Sequence, residues 1–245
     1  MTDSQSPPSG TAPMPPERHH RDIQGGAARA AVLGVSDGLV TNISLILGVA
    51  GANTAPGTVR LIGIGGLLAG AFSMAAGEYV SMKAQSELLQ RELEMESIEL
   101  HRAPEAERRE LVELYESRGV DPDLAGEMAG EMMRTPELAL QTHAREELGL
   151  NPDELGSPVQ AAGASALAFA LGALVPLIPW FVTRGGAAVA VSLVAGGLAA
   201  ITIGWALARF TGGSKVRAIS RQVLLTVLAA GVTFAIGKAI GHSVA

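Results

Sequence analysis

Apolar and polar positions in this chain fall into long blocks rather than an even mixture. Five stretches are apolar over about the ~20 residues that a helix needs to cross the hydrocarbon core of a bilayer. They run from Ala27 to Gly51, Val59 to Met82, Val159 to Val182, Ala187 to Ala208 and, shorter and marginal in length, Val223 to Ile240. Lys238, near the end of the fifth, is expected to snorkel to the interface. The short connections at 52–58 and 183–186 predict tight helix hairpins. Between the second and third blocks the pattern turns polar but stays helical. The second block is expected to continue unbroken through Gln85 to His101, because neither Gly nor Pro interrupts it. Pro104 opens a helix stopped by Gly119, Asp121-Pro122 opens another ending near Arg134, and Pro136 starts one closed by Gly149.

The pattern therefore predicts an all-α membrane protein: five transmembrane helices with a helical insert between helices 2 and 3. Residues 27–84 hold transmembrane helices 1–2, residues 85–157 the insert, and residues 158–245 transmembrane helices 3–5. Residues 1–26 are rich in Pro, Ser, Gly and charge and lack the apolar segment of a signal peptide, so they read as a disordered cytosolic tail. The His19-His20 pair in that tail reads as incidental. A compact chain without a targeting signal suggests a bacterial plasma membrane, or an endomembrane if the source is eukaryotic.

Charge sharpens the division. Of the 24 acidic residues in 245, nineteen lie between Gln85 and Ser157, against eight bases including Lys83 at the edge. The net charge of −6 thus belongs to the insert. An acidic surface of this kind argues against nucleic acid as a partner and for cations. With the N-terminus in the cytosol, the inside segments hold fifteen of the 18 Lys and Arg residues and the outside only Arg60, Arg184 and Lys238. The positive-inside rule accordingly places the insert in the cytosol and the C-terminus outside. There is no cysteine, which excludes disulfides, thiolate zinc sites and iron–sulfur clusters. Any metal must be held by carboxylates, imidazoles or Met thioethers.

Two carboxylates sit where charge is costly and functional by default. Asp37 lies near the middle of the first span, with Ser36, Thr41 and Asn42 supplying further oxygens on nearby turns. Glu78 lies in the second span, with Met74 and Met82 four residues to either side and so on one helix face. Carboxylate and thioether together suit a borderline divalent transition metal better than Mg²⁺ or Ca²⁺. The competing reading has Asp37 hydrogen-bonded inside the bundle and Glu78 at the cytosolic interface. Gly34/Gly38, Gly66/Gly70 and Gly237/Gly241 have the spacing that lets helix backbones approach in lipid, and so thin a bundle points to a homo-oligomer.

In the insert, Glu92, Glu96 and Glu99 form one acidic stripe, and Glu107, Glu110 and Glu113 another. Two antiparallel helices joined at Arg102–Ala103 would set the stripes face to face. Like charges packed together raise one another's pKa unless a cation neutralises them, so such a cluster would exchange protons for metal. Met128, Met132 and Met133, with Glu131 and Glu137, would complete a mixed oxygen and sulfur shell. Spacing alone leaves open the blander reading, a solvated acidic face; His101 and His143 are weaker candidates still.

Taken together, Ser36-Asp-Gly-Leu-Val-Thr-Asn42, Met74-Ala-Ala-Gly-Glu-Tyr-Val-Ser81, Arg134-Thr-Pro-Glu137 and Ala144-Arg-Glu-Glu-Leu-Gly149 resemble the vacuolar iron transporter family, in matching order from about residue 27 onward. The resemblance implies a homodimer of five-helix protomers with the pore at their interface, exporting cytosolic Fe²⁺ or Mn²⁺ in exchange for protons. It implies pore positions at Asp37 and Met74 with Glu78 nearby. In the insert it implies metal-binding positions at Glu96, Glu99, Glu107 and Glu110, then Met133 and Glu137, with Met132 beside them.

The expected function is therefore a proton-coupled antiporter for iron or manganese. Its partners are the lipid bilayer, the transported ions and a second copy of the chain, and no prosthetic group is called for. The alternative is a membrane-anchored acidic adapter or metal buffer that transports nothing. An enzyme is a distant third, since no nucleophile–base set, phosphate loop or HExxH motif is present, nor the Glu-x-x-His pairs of di-iron bundles.

Overall fold

The computed structural model describes residues 26–149 and 156–244. Apart from Gly26, the tail expected over residues 1–26, with His19 and His20, lies outside them. The described residues form helices in chain order: α1 (Gly26–Gly51), α2 (Pro56–Arg102), α3 (Pro104–Ser117), α4 (Pro122–Met132), α5 (Pro136–Glu146), α6 (Pro158–Leu177), α7 (Pro179–Val182), α8 (Gly185–Thr211) and α9 (Lys215–Val244). Five segments are long and apolar enough to span a bilayer: α1, α2, α6 with α7, α8 and α9.

Helix α1 is the axis of the bundle, packed by α6, α9, α2 and α8. Glycines make this possible. A Cβ on Gly38 would collide with the backbone of Phe169 in α6, and one on Gly237 in α9 with the backbone of Gly48 in α1. Gly34 and Gly241 make the same kind of approach, to Ser165 and Ala52. In lipid, where apolar side chains gain little from meeting each other, such contact is what holds helices together. Of the three glycine pairs with the spacing for backbone approach, Gly34/Gly38 and Gly237/Gly241 meet neighbouring backbone, whereas Gly66 receives the side chains of Leu45 and Asn42 and Gly70 the Phe169 ring.

Two spans differ from expectation. The fifth helix is not marginal: it starts at Lys215, and its candidate span covers 27 residues. Its polar N-terminal turns are accommodated because Gln222 and Thr226 are buried, with Ser36 of α1 donating to Gln222 Oε1 at 3.0 Å. The third span is not one smooth helix either. It breaks at Ile178 and restarts at Pro179, with Pro176 inside the preceding helix. Donors from neighbouring helices converge there, Asn42 Nδ2 on the Ala173 carbonyl (2.7 Å) and Ser192 Oγ on the Pro176 carbonyl (2.8 Å).

The 47 residues of α2 would extend roughly 70 Å at about 1.5 Å per residue, far beyond a hydrocarbon core of about 30 Å. Its C-terminal half is the platform of the insert. Helices α3, α4 and α5 start at prolines where the sequence pattern placed them; Asp121 and Thr135 cap α4 and α5, and Gly119 and Gly149 take positive φ beyond α3 and α5. The insert has its own small core of Leu111, Tyr115, Ala125 and Ala129, with Met128, Met132 and Met133 against it.

Candidate metal centre

Two groups of polar side chains stand out, one in the bundle and one in the insert. In the bundle, Asp37 is half-buried near the middle of α1 and accepts a hydrogen bond from Thr41 Oγ1 at 3.3 Å. No basic side chain among the described residues pairs with it. Asp37, Thr41, Ser44 and Gly48 share one face of α1 by helical spacing. Towards the end of α1, Ser44 and Gly48 of that face line an open, largely apolar groove of about 520 Å³ between α1, α2 and α9, together with Leu45, Val49, Ile62 and Ile236; Asp37 and Thr41 lie outside it.

Helix α2 runs antiparallel to α1 with a register that two contacts fix. Asn42 lies level with Gly66, and Arg29 Nη2 reaches Glu78 Oε1 at 3.6 Å. Glu78 thus sits level with the start of α1. Met74 lies about one turn further in, level with Gly34, and Asp37 another turn beyond at about 1.5 Å per residue. Buried oxygens without a hydrogen-bond partner mark both ends of this series: Glu78 Oε1 at one, Asn42 Oδ1 and Ser44 Oγ at the other. Such atoms are rare and costly to leave unmet.

In the insert, Glu96 of α2, Glu107 of α3, and His143 and Glu147 at the end of α5 bring one ligand atom each to within 4.8 Å of one another. Glu96, Glu107 and His143 are buried, at 5, 7 and 1% exposure, and Glu96 Oε1 has no hydrogen-bond partner. His143 Nδ1 lies 3.0 Å from the Ala139 carbonyl. Nε2 lies 3.3 Å from the Glu107 carbonyl and 4.0 Å from Glu107 Oε2, so both ring nitrogens face carbonyl acceptors. Burial pushes the Glu96 carboxyl up to about 7; His143 opposes this, while Glu147, Glu107 and Glu99 add to it. Burial also raises Glu107, with Glu110 next in effect. An open pocket of about 250 Å³, lined by Glu110, Glu113, His143 and Glu147, leads to the cluster from solvent.

A family model described as the VIT family matches residues 28–238, a stretch that holds both groups. The chain belongs to the VIT family. Vacuolar iron transporter 2 of Oryza sativa subsp. japonica is 32% identical over 217 residues, covering 88% of each chain. Vacuolar iron transporter 1 of Arabidopsis thaliana is 30% identical over 228 residues, covering 91% of each. The vacuolar iron transporter of Acanthamoeba castellanii is 36% identical over 206 residues, covering 82% of this chain and 73% of that one.

Within this VIT-family chain the site residues read from sequence divide into three places. Asp37 lies on α1, and Met74 and Glu78 lie on α2, at successive levels in the antiparallel register of the two helices. Glu96 and Glu107 meet in the insert cluster, with Glu99 and Glu110 exposed beside them and acting on them electrostatically. Met133 and Glu137 instead line a separate pocket of about 540 Å³ with Ser97, His101 and Pro104, and Met132 packs on the insert core. Sequence reasoning ranked His143 low as a ligand and passed over Glu147. Their signal was the four-residue spacing that puts both on one face at the end of α5, opposite the glutamate stripes. Three carboxylates and one imidazole in this arrangement offer ligand atoms to a cation: burial penalises the negative charges of Glu96 and Glu107, and a divalent ion would relieve that penalty.

Proposed function

We propose that this chain is a proton-coupled transporter of divalent transition metal, iron or manganese, exporting the ion from the cytosol for detoxification or storage. The observation that carries the reading is Asp37, a half-buried carboxylate near the middle of a membrane helix with no basic partner among the described residues. An anchor gains nothing from so costly a group, whereas a cation path needs one. The series Glu78, Met74, Asp37, then Asn42 and Ser44 offers oxygen and thioether ligands at successive depths, a donor set that borderline ions accept. Carboxylates that bind the ion take up protons when it leaves, which is the chemical basis for antiport. The names of the relatives in rice and Arabidopsis support iron as a cargo, and the donor set admits manganese beside it.

The excess of Lys and Arg at the Glu78 end supports placing the insert in the cytosol, where its acids would collect metal for the path. The open groove supports a homodimer. A second copy seated over α1 and α2 would cover Asp37, which lipid would otherwise leave at a cost of several kcal/mol. Reconstitution tests the whole reading. Proteoliposomes holding a metal-sensitive dye should take up Fe²⁺ and Mn²⁺ and move protons oppositely, and Asp37→Ala should lower uptake by about 100-fold or more. Equal uptake by the parent and Asp37→Ala would remove Asp37 from the path. Binding without uptake by the parent would favour the membrane-anchored metal buffer.

A further inference from the structure

We infer that Arg29 is a working part of the ion path: its guanidinium occupies Glu78 in the empty carrier, and the metal must displace it to reach Met74 and Asp37. The inference rests on the transport reading for what the path carries, and on a contact of its own for what closes it. Arg29 Nη2 lies 3.6 Å from Glu78 Oε1, bridging α1 to α2.

The two ends of this pair are unlike. The Glu78 side chain is 12% exposed and that of Arg29 64%. Glu78 Oε1 is buried and has no hydrogen-bond partner, and the guanidinium stands too far off to supply one. An arginine that fastened the two helices together would close to about 2.8 Å and engage both carboxylate oxygens. Arg29 instead lends its charge at a distance, from a side chain that water leaves free to move. A carboxylate so buried and so loosely held exchanges its cation readily. A divalent ion brings twice the charge and no carbon chain to order, and the exposed arm loses little on release.

Position gives the contact its consequence. Glu78 is the outermost member of the series, level with the start of α1, and Met74 and Asp37 follow at successive turns. Arginine stays protonated at any working pH, so Arg29 remains a cation whatever the carrier binds. It holds Glu78 against weakly bound ions when metal is scarce, and it raises the metal concentration at which the path loads. An arginine serving only as an interfacial anchor would reach for water and headgroups and would have no bearing on access to Met74.

The chain has no cysteine, so a single introduced thiol reports on the path. The full chain carrying Met74→Cys, in detergent micelles, is treated with a cationic methanethiosulfonate reagent. Arg29→Gln should speed modification about fivefold, the upper range for an ion pair with one exposed end, and Arg29→Lys should keep the starting rate. Lys83→Gln is the charge control: Lys83 pairs with Glu87 at 3.4 Å, five residues beyond Glu78, and its loss should leave the rate unchanged. In a Glu78→Gln background the effect of Arg29→Gln should vanish, since its partner is gone. Uptake with Met74 intact gives a second reading. In proteoliposomes Arg29→Gln should lower the KM for Mn²⁺ by the same factor, whereas misfolding would lower the maximal rate instead. Equal labelling with and without Arg29→Gln overturns the proposal, as does equal acceleration by Lys83→Gln or an effect that persists in Glu78→Gln. Any of these beside normal Mn²⁺ uptake by the parent would sink this inference and leave the transport reading intact. Faster labelling in Arg29→Gln without uptake by the parent would do the reverse.

Discussion

The membrane bundle and the insert solve opposite packing problems. In the bundle, backbone meets backbone: Gly38 on Phe169, Gly237 on Gly48, Gly172 on Val35. Acidic charge there is limited to Asp37 and Glu78, and Glu78 pairs with Arg29. In the insert, side chains with charge are packed together, three carboxylates and an imidazole at one point, over a core of only four well-buried residues. The first arrangement fixes geometry and is indifferent to solution conditions. The second stores electrostatic cost, so its stability depends on protons and cations. A chain that passes an ion from water to a path through lipid has use for both: a responsive collector and a rigid conduit.

The largest expected effect breaks the rigid half. Gly38→Val puts a branched side chain into the Phe169 backbone, which neither helix can yield without separating α1 from α6. Overpacking at such a contact costs about 3 kcal/mol or more. Gly38→Val should lose its monodisperse elution in detergent and its cooperative thermal transition. Gly197→Ala is the control, since a Cβ there meets nothing within 4 Å, and it should be neutral or gain about 0.5–1 kcal/mol of helix propensity. Equal behaviour of the two variants would refute the claim that backbone contact holds the bundle.

A middle-sized effect tests the responsive half. With its carboxyl pushed up to about 7 from 4.5, Glu96 holds its proton more tightly folded than unfolded. Its contribution to stability is therefore fully present below about pH 4.5 and is lost as pH rises through 7. In metal-free protein, the protection of α3–α5 amides against hydrogen exchange, corrected for the base-catalysed intrinsic rate, should fall between pH 5 and pH 8. Glu96→Gln, which mimics the protonated form, should flatten most of that slope and exchange more slowly than the parent at pH 8. Glu107, raised in the same direction, leaves a residual slope. Added Fe²⁺ or Mn²⁺ should slow exchange in the parent at pH 8 and not in Glu96→Gln. An insert that grows more stable from pH 5 to pH 8 without metal would contradict the assignment.

What was legible in the sequence follows the same division. Apolar blocks, proline starts and glycine stops report local geometry, so the spans, the unbroken α2 and the helices of the insert could be read directly. Long-range contacts were legible only where composition constrained them, as at Gly34 and Gly38. The start of α9 was not, because its polar residues are tolerated through a partner, Ser36, that no window of sequence contains. His143 was ranked low as a ligand for a related reason. Its burial comes from α2 and α3 folding over α5, and a lone histidine on a short helix carries no mark of that. Asp37 was found because a carboxylate among apolar residues is anomalous by itself.

The smallest expected effect separates surface charge from the charge that matters. Arg118, at the end of α3, forms an ion pair with the Glu146 carboxylate and donates from Nη2 to the Glu146 carbonyl at 3.0 Å, tying α3 to the last turn of α5. On paper it is the best-connected salt bridge of the insert. Its side chains are 47 and 34% exposed, however, and water competes for both partners. Exposed pairs are worth about 0.2–1 kcal/mol and weaken with salt. Arg118→Ala should therefore lower the thermal stability of the insert by less than about 1 kcal/mol, with the difference shrinking further at high ionic strength and metal affinity unchanged. The core around Leu111 and Tyr115, not this pair, holds α3 and α4 together, and α5 is held through the buried cluster. A loss as large as that of Gly38→Val, or a loss of metal binding, would mean that the insert depends on its surface charges. The contrast between a rigid bundle and an insert tuned at one buried point would then fail.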